Sequence, residues 1–357
     1  MGKYSIDNKV TWLTTEDDVN LKLSSIIGEK FIDYRKRWDL ASSFQLETDF
    51  PLYLQVELHQ NCNLRCPMCA IAIPEAREKY ITNDHMSWEL YQKIILEAEK
   101  YNCPSLNPQG INEPLLDLDL EKYIRFAADH GFVDIMINTN ATLLTEERSR
   151  SLLKSGLTRL RFSLDAASKE TYEKTRVGAN HEKVMANISK FLEIKKELGL
   201  ELPVVGVNFL KMKHNEHEEE MFVKKWGPLV DFIVLQEFTP QDFGDVDYSE
   251  FYTTDVKFQN QVKSGFRCSQ PWQRMYIHND GQACPCCVDF NRDLAMGNVN
   301  NRSIYEIWNS DEMLKLRGIH KDGKYWLDES CKKCVNGMNG CDLIEKPQGL
   351  RKIEAPN

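Results

Sequence analysis

"PLYLQVELHQNCNLRCPMCA" occupies residues 51–70. Its opening run, residues 51–58, is rich in strand-forming side chains, and it leads straight into Cys62, Cys66 and Cys69 at spacings of four and three. A structural zinc site closes itself with four ligands, whereas a site that does chemistry keeps a position open. No further cysteine follows before Cys103, so the three thiols leave one place for a ligand from elsewhere. His59 is a second candidate for that place, as in a zinc site of three cysteines and one histidine. The stretch alone leaves both readings open.

Outward from this strand the chain alternates. "SWELYQKIILEAEKY" (87–101) has helical period and "PSLNPQG" (104–110) turns extended. "DLEKYIRFAADHG" is a helix ending at Gly131; "FVDIMIN" is a strand; "TEERSRSLLKSG" is a helix opening on Thr145 and ending at Gly156. Strand "LTRLRFSL", helix "HEKVMANISKFLEIKKELG", strand "LPVVGVNFL", helix "EHEEEMFVKKW" and strand "VDFIVLQEF" complete the series. Six strands, the first five each followed by a helix, predict parallel pairing through right-handed crossovers. Eight such units close a full barrel, so six fit an open, partial (β/α)6 TIM-like barrel of the α/β class. Ligand chemistry in such arrays sits at the C-terminal ends of the strands. Gathered there are the three cysteines, "QGINEPLL", "NTNAT" and "SLDA".

Composition narrows the function classes. A net charge of −9 argues against a coat for nucleic acid or for an anionic membrane. No run approaches the roughly eighteen apolar residues of a membrane span, and the N-terminus lacks a signal-peptide core. Residue 6 is Ile6, where a myristoylation signal wants Ser or Thr. The expected location is the cytoplasm, where cysteines serve as metal ligands or catalytic groups more often than as disulfides. Their clustering agrees: of 11, three lie near residue 65 and seven between 268 and 341. The expected organisation is a helical extension over 1–50, the barrel over 51–240, a cysteine-rich C-terminal domain over 241–345, and a tail over 346–357.

Placed at the end of the first strand of such an array, Cys62, Cys66 and Cys69 resemble the CxxxCxxC motif of the radical S-adenosylmethionine (SAM) superfamily. The resemblance implies that the three thiolates hold three irons of a four-iron four-sulfur cluster and that SAM takes the fourth. Met68 stands where the family usually has an aromatic residue; a backbone carbonyl serves there, so the change is expected to be tolerated. "QGINEPLL" resembles the family's GGEP segment, which implies that Glu113 accepts hydrogen bonds from the SAM ammonium. "FSLDAASKETYEKTR" resembles its ribose and carboxylate region, implying Ser163 on the ribose and Arg176 on the carboxylate. Asp165 is an alternative cap for the next helix. "NTNAT" resembles the family's TNG strand end with Ala141 in place of Gly, which leaves Asn140 either lining the cavity or serving the turn.

The later cysteines resemble a SPASM/twitch auxiliary-cluster domain: Cys268, then Gly281-x4-Cys286, then Cys331-x2-Cys334, with "MGNVNNRSIYEIWNSDEMLKLR" between. Only Cys341 follows, too few for a second auxiliary cluster, so the implied count is one auxiliary cluster held by Cys268, Cys286, Cys331 and Cys334. A zinc ribbon is the rival for this set. Cys284, Cys287 and Cys341 are left over, with Cys287 a candidate hydrogen donor.

The resemblance implies an enzyme with SAM and two 4Fe-4S clusters as cofactors, fed by a reducing donor such as flavodoxin or ferredoxin. SAM is cleaved to a 5′-deoxyadenosyl radical, which abstracts a hydrogen from carbon. The polar strand ends Asn138, Asn140, Asn208 and Gln236, with a short N-terminal segment, suit a small polar substrate: a sugar, aminocyclitol or nucleotide-sugar, dehydrogenated or epimerised. A peptide- or protein-modifying maturase is the alternative within the family. A non-catalytic zinc- or RNA-binding cysteine module is the alternative outside it, and the acidic charge and the βα periodicity count against it.

Overall fold

The structure is a computed structural model that describes residues 4–5, 10–12, 16–74, 77–78, 81–82, 84–238, 251, 253, 266–287, 289 and 292–338. Six parallel strands form its centre: β3 (Tyr53–Val56), β4 (Ser105–Asn107), β5 (Asp134–Thr139), β6 (Arg159–Ser163), β7 (Val204–Lys211) and β8 (Phe232–Glu237). They lie side by side in chain order, as the alternation predicts. Helices α3 (Trp88–Lys100), α4 (Leu120–Asp129), α5 (Glu146–Leu153), α7 (His181–Glu197) and α8 (Glu219–Trp226) make the crossovers, with the short α6 (Lys169–Thr175) added before α7. Capping fixes their starts: Ser87, Thr145 and Asn180 each accept a backbone N–H three residues on. Gly131 and Gly156 follow the ends of α4 and α5 at φ 93 and 99, a conformation that side chains resist.

The sheet runs further than six strands. At one edge, a hairpin of β1 (Tyr4–Ser5) and β2 (Val10–Trp12) sets β2 antiparallel to β8. The N-terminal extension is therefore not purely helical; its helices α1 (Glu16–Ile27) and α2 (Glu29–Ser42) come after that hairpin. At the other edge β9 (Arg274–Ile277) pairs parallel to β3, followed by β10 (Gln282–Cys284) and β11 (Gly297–Asn298). The C-terminal segment continues with α9 (Gln270–Gln273, preceding β9), α10 (Ile304–Trp308), α11 (Asp311–Lys321) and α12 (Glu329–Met338). The start of the expected C-terminal domain at 241, the tail and Cys341 lie outside the described residues.

Side chains alternate across the strands. One set (Leu54, Val56, Ile135, Ile137, Leu160, Phe162, Val205 and Val207) packs under the helices in the main core. Val299, Ile304, Ile307 and Trp308 share that core, so barrel and C-terminal segment are packed as one body. Glu97 of α3 also accepts the Ile304 and Tyr305 N–H groups at the start of α10, both at 2.9 Å. The other set faces the barrel interior. At its N-terminal end Val204, Phe232 and Val234 are closed off by Val19, Leu23, Phe31 and Tyr34 of α1 and α2. The plug leaves the C-terminal ends of the strands as the mouth. No described helix is long and apolar enough to cross a membrane.

Candidate active site

The cysteine loop leaves β3 at this mouth. Cys66 is buried and Cys62 and Cys69 half-buried. The Leu64 N–H points at Cys62 Sγ (3.4 Å), and the Cys69 N–H donates to the Cys66 carbonyl (2.9 Å) before a 3-10 turn at Ala70–Ala72. Burial pushes the Cys62 thiol up to about 12, and Glu113, Cys69 and Cys66 add to the shift. Burial raises Cys69 as well, with Cys66 adding to the shift and Arg176 and Arg65 opposing it. The three thiols are thus within electrostatic reach of one another, with two guanidinium groups to offset thiolate charge once a metal displaces the protons. His59 is not the fourth ligand. Its Nδ1 accepts the Asn61 N–H (3.1 Å), its Nε2 lies 3.1 Å from Asn112 Nδ2, and its ring stacks on His85. The open position suggested by the spacing remains open to a ligand from outside, and the donor set fits a cluster.

Glu113 is buried beside this loop. Its Oε1 accepts from Thr139 Oγ1 (2.6 Å) and the Leu115 N–H (3.0 Å), and its Oε2 from the Asn140 N–H (2.7 Å). Each oxygen carries two lone pairs, so Oε2 keeps acceptor capacity for a further donor. Asn140 takes the turn role rather than the cavity: Oδ1 accepts from the Thr142 N–H and Oγ1, and Nδ2 donates to Asn63 on the cysteine loop. Ala141, in the family's glycine position, adopts φ 59. Arg176 is paired with Asp165, which is fully buried, and its Nη1 reaches to 3.8 Å from Cys66 Sγ. Asp165 is not a helix cap. Ser168 caps α6, while Asp165 sits at φ 61 and accepts the Leu210 N–H at 2.7 Å. Ser163 is half-buried at the end of β6, in register with Asn208 on β7.

The second group lies in the C-terminal segment. Burial raises the Cys331 thiol far above its ordinary value, with Asp328, Cys268 and Cys334 adding to the shift, so three of the four expected ligands are neighbours. Cys286 lies in the loop after β10. Among the described residues no three Cys, His, Asp or Glu side chains converge on a point that one metal ion could occupy. Cys284 is fully buried beside Asp289. Cys287 lies near Tyr53 and Tyr276 on the interior face of β3 and β9.

Two constellations escaped the sequence reading. Glu57, fully buried at the end of β3, accepts from Tyr276 OH (2.9 Å) and Gln60 Nε2 (3.0 Å) and lies 3.0 Å from His278 Nδ1. The group ties barrel to C-terminal segment, and only the interior phase of β3 and an unforeseen β9 would have revealed it. The other is His320, whose ring lies between Cys268 and Cys331.

Residues 56–223 match the family model described as the radical SAM superfamily, and 268–335 that of SPASM, an iron–sulfur cluster-binding domain. The chain belongs to the radical SAM superfamily. Its cofactors are accordingly SAM and 4Fe-4S clusters, one at the barrel mouth and an auxiliary site in the SPASM-type segment. A tungsten-containing aldehyde ferredoxin oxidoreductase cofactor-modifying protein of Pyrococcus furiosus is 27% identical over 334 residues, 82% of this chain and 89% of the relative. An S-adenosyl-L-methionine-dependent 2-deoxy-scyllo-inosamine dehydrogenase of Niallia circulans is 22% identical over 285 residues, 79% and 92% of the two chains. Among solved structures, anSMEcpe with bound AdoMet superposes with TM-score 0.58 at 16% identity, covering 84% of this chain and 92% of that one. BtrN in complex with AdoMet and 2-DOIA gives 0.53 at 18%, covering 81% and 94%. Both show that this radical SAM chain has their fold, a partial barrel with a C-terminal domain.

Proposed function

We propose that this radical SAM enzyme oxidises or epimerises one carbon of a small substrate rich in hydroxyl or amino groups: a sugar, aminocyclitol or nucleotide-sugar. The observation that carries the reading is a set of unmet acceptors. Asn107, Asn138 and Asn208, on β4, β5 and β7, each bury a side-chain carbonyl oxygen with no hydrogen-bond partner among the described residues. All three fall on the interior phase of their strands. A buried acceptor left unpaired costs about 1–3 kcal/mol, so the interior is matched to a ligand that brings donors. Several fixed hydrogen bonds select which carbon faces the radical source. The two relatives named above, each spanning about four fifths of the chain, are named for a small molecule or a cofactor, which supports the reading.

Bound SAM and its cluster supply hydrogen-atom abstraction from an unactivated carbon. The chain's own residues have the following roles in this reading. Cys62, Cys66 and Cys69 hold the cluster at the mouth. Glu113 holds the SAM ammonium through Oε2. Ser163 would hold the ribose. Arg176, already paired with Asp165, balances charge at Cys66, and Asn140 braces Asn63 on the cluster loop. Cys268, Cys286, Cys331 and Cys334 hold the auxiliary cluster. Cys287 would return hydrogen if the outcome is epimerisation. A low-potential donor such as flavodoxin or ferredoxin supplies the electron.

The test is anaerobic turnover with polyols and aminocyclitols deuterated on the ring carbons. Label from one of them is expected in 5′-deoxyadenosine. A labelled peptide passing its deuterium while every polyol stays inert would overturn the substrate class.

A further inference from the structure

We propose that His320 sets the auxiliary cluster to receive an electron, by donating a hydrogen bond to the sulfur of Cys331. The inference rests on the reading of Cys268 and Cys331 as ligands of that cluster. His320 sits in the last turn of α11 and is 2% exposed. The backbone N–H of Cys268 points at its Nδ1 from 3.3 Å. A nitrogen that accepts an N–H bears the lone pair, so the ring's single proton is on the other nitrogen. That nitrogen, Nε2, lies 3.2 Å from Cys331 Sγ. One ring therefore accepts from the backbone of one ligand and donates to the sulfur of another.

The same geometry excludes His320 as a metal ligand. Coordination through Nε2 would move the proton to Nδ1, where it would face the Cys268 N–H, donor against donor. The neighbourhood also gives the bond a purpose. Asp328 accepts the Cys331 N–H at 2.9 Å and so sets a carboxylate beside the same cysteine. Negative charge there opposes reduction of a cluster, and an N–H aimed at the ligand sulfur favours it. A donor on a ligand sulfur stabilises the added electron and moves the potential upward. An electron leaving an oxidised substrate then has a site suited to take it.

The test is an anaerobic potentiometric titration of the holoenzyme followed by electron paramagnetic resonance, with the SAM-responsive signal marking the first cluster. His320→Leu is expected to keep about eight irons per chain. At fixed potential its reduced-to-oxidised ratio for the auxiliary cluster should fall about tenfold, which is about 59 mV for one electron. The first cluster should not move. His320→Gln, which retains an N–H donor, should recover part of the shift, as a merely space-filling role would not. An unchanged auxiliary potential in an iron-replete His320→Leu protein overturns the inference while the ligand assignment stands. Loss of iron in both variants, with wild type replete, overturns it by making the histidine a ligand or a scaffold. Zinc at the second site of wild-type protein overturns the ligand reading and the inference together.

Discussion

Replacing Arg176 by Ala would strand Asp165, whose side chain is fully buried, with one remaining hydrogen bond from the Leu210 N–H. Removing one partner of a buried ion pair costs about 3–5 kcal/mol, because the other charge stays desolvated. The Arg176 side chain is 15% exposed, so water screens the pair in part and the lower end applies, about 3 kcal/mol. Against a total stability of about 5–15 kcal/mol this is a large fraction. Asp165→Asn removes the stranded charge and keeps an acceptor for Leu210. The double variant Asp165→Asn/Arg176→Ala is therefore expected to be more stable than Arg176→Ala alone, with a coupling of about 2 kcal/mol or more. Urea unfolding of the full chain under anaerobic conditions, followed by tryptophan fluorescence, measures all four corners of the cycle. A loss under about 1 kcal/mol for Arg176→Ala, or additive losses, would refute the pair as the brace between β6 and the cysteine loop.

Acid should remove a second brace. Burial alone would raise the Glu218 carboxyl, but donors from Ser168, Thr171 and Ala167 outweigh it and hold it at about 2. A depressed carboxylate contributes stability that is complete above its ordinary value of 4.5 and lost as pH falls through about 2. Glu218→Gln should flatten the stability profile across that window; an unaltered acid limb would contradict the assignment. At the GGEP-like segment, a Cβ on Gly110 would meet Glu57 Oε1 at 2.1 Å and Tyr276 OH at 2.2 Å. Gly110→Ala should cost about 1–3 kcal/mol and weaken SAM binding by calorimetry, because overpacking displaces the loop that carries Glu113. Wild-type affinity and stability in that variant would show the contact to be soft.

The barrel was legible because each of its strands carries an apolar row that the helices cover, and because Thr145, Gly131 and Gly156 punctuate the helices between them. The three cysteines stood out by their spacing together with their place at the end of the first strand. What escaped depends on partners remote in sequence. "RMYI" reads as a fragment of a loop-rich region until β3 supplies the edge on which it becomes β9. Glu57 looks like a solvated strand residue until Tyr276 and His278 arrive beside it. His320 is one polar residue in an amphipathic helix until the chain folds Cys268 and Cys331 to either side. Asp165 was read as a local cap and Asn140 as either lining the cavity or serving the turn. The turn holds Asn140, whereas for Asp165 a buried guanidinium prevailed over the helix start.

The measurement that bears most directly on the whole account is iron content together with 5′-deoxyadenosine formation, compared between anaerobically purified wild type, Cys66→Ala and Cys331→Ala. Wild type should hold about eight irons and, with dithionite, cleave SAM. Cys66→Ala should lose about four irons and form no 5′-deoxyadenosine, whereas Cys331→Ala should lose the other four and still cleave SAM without turning over substrate. SAM cleavage at the wild-type rate by Cys66→Ala would contradict the central claim that the loop after β3 is the radical-generating site.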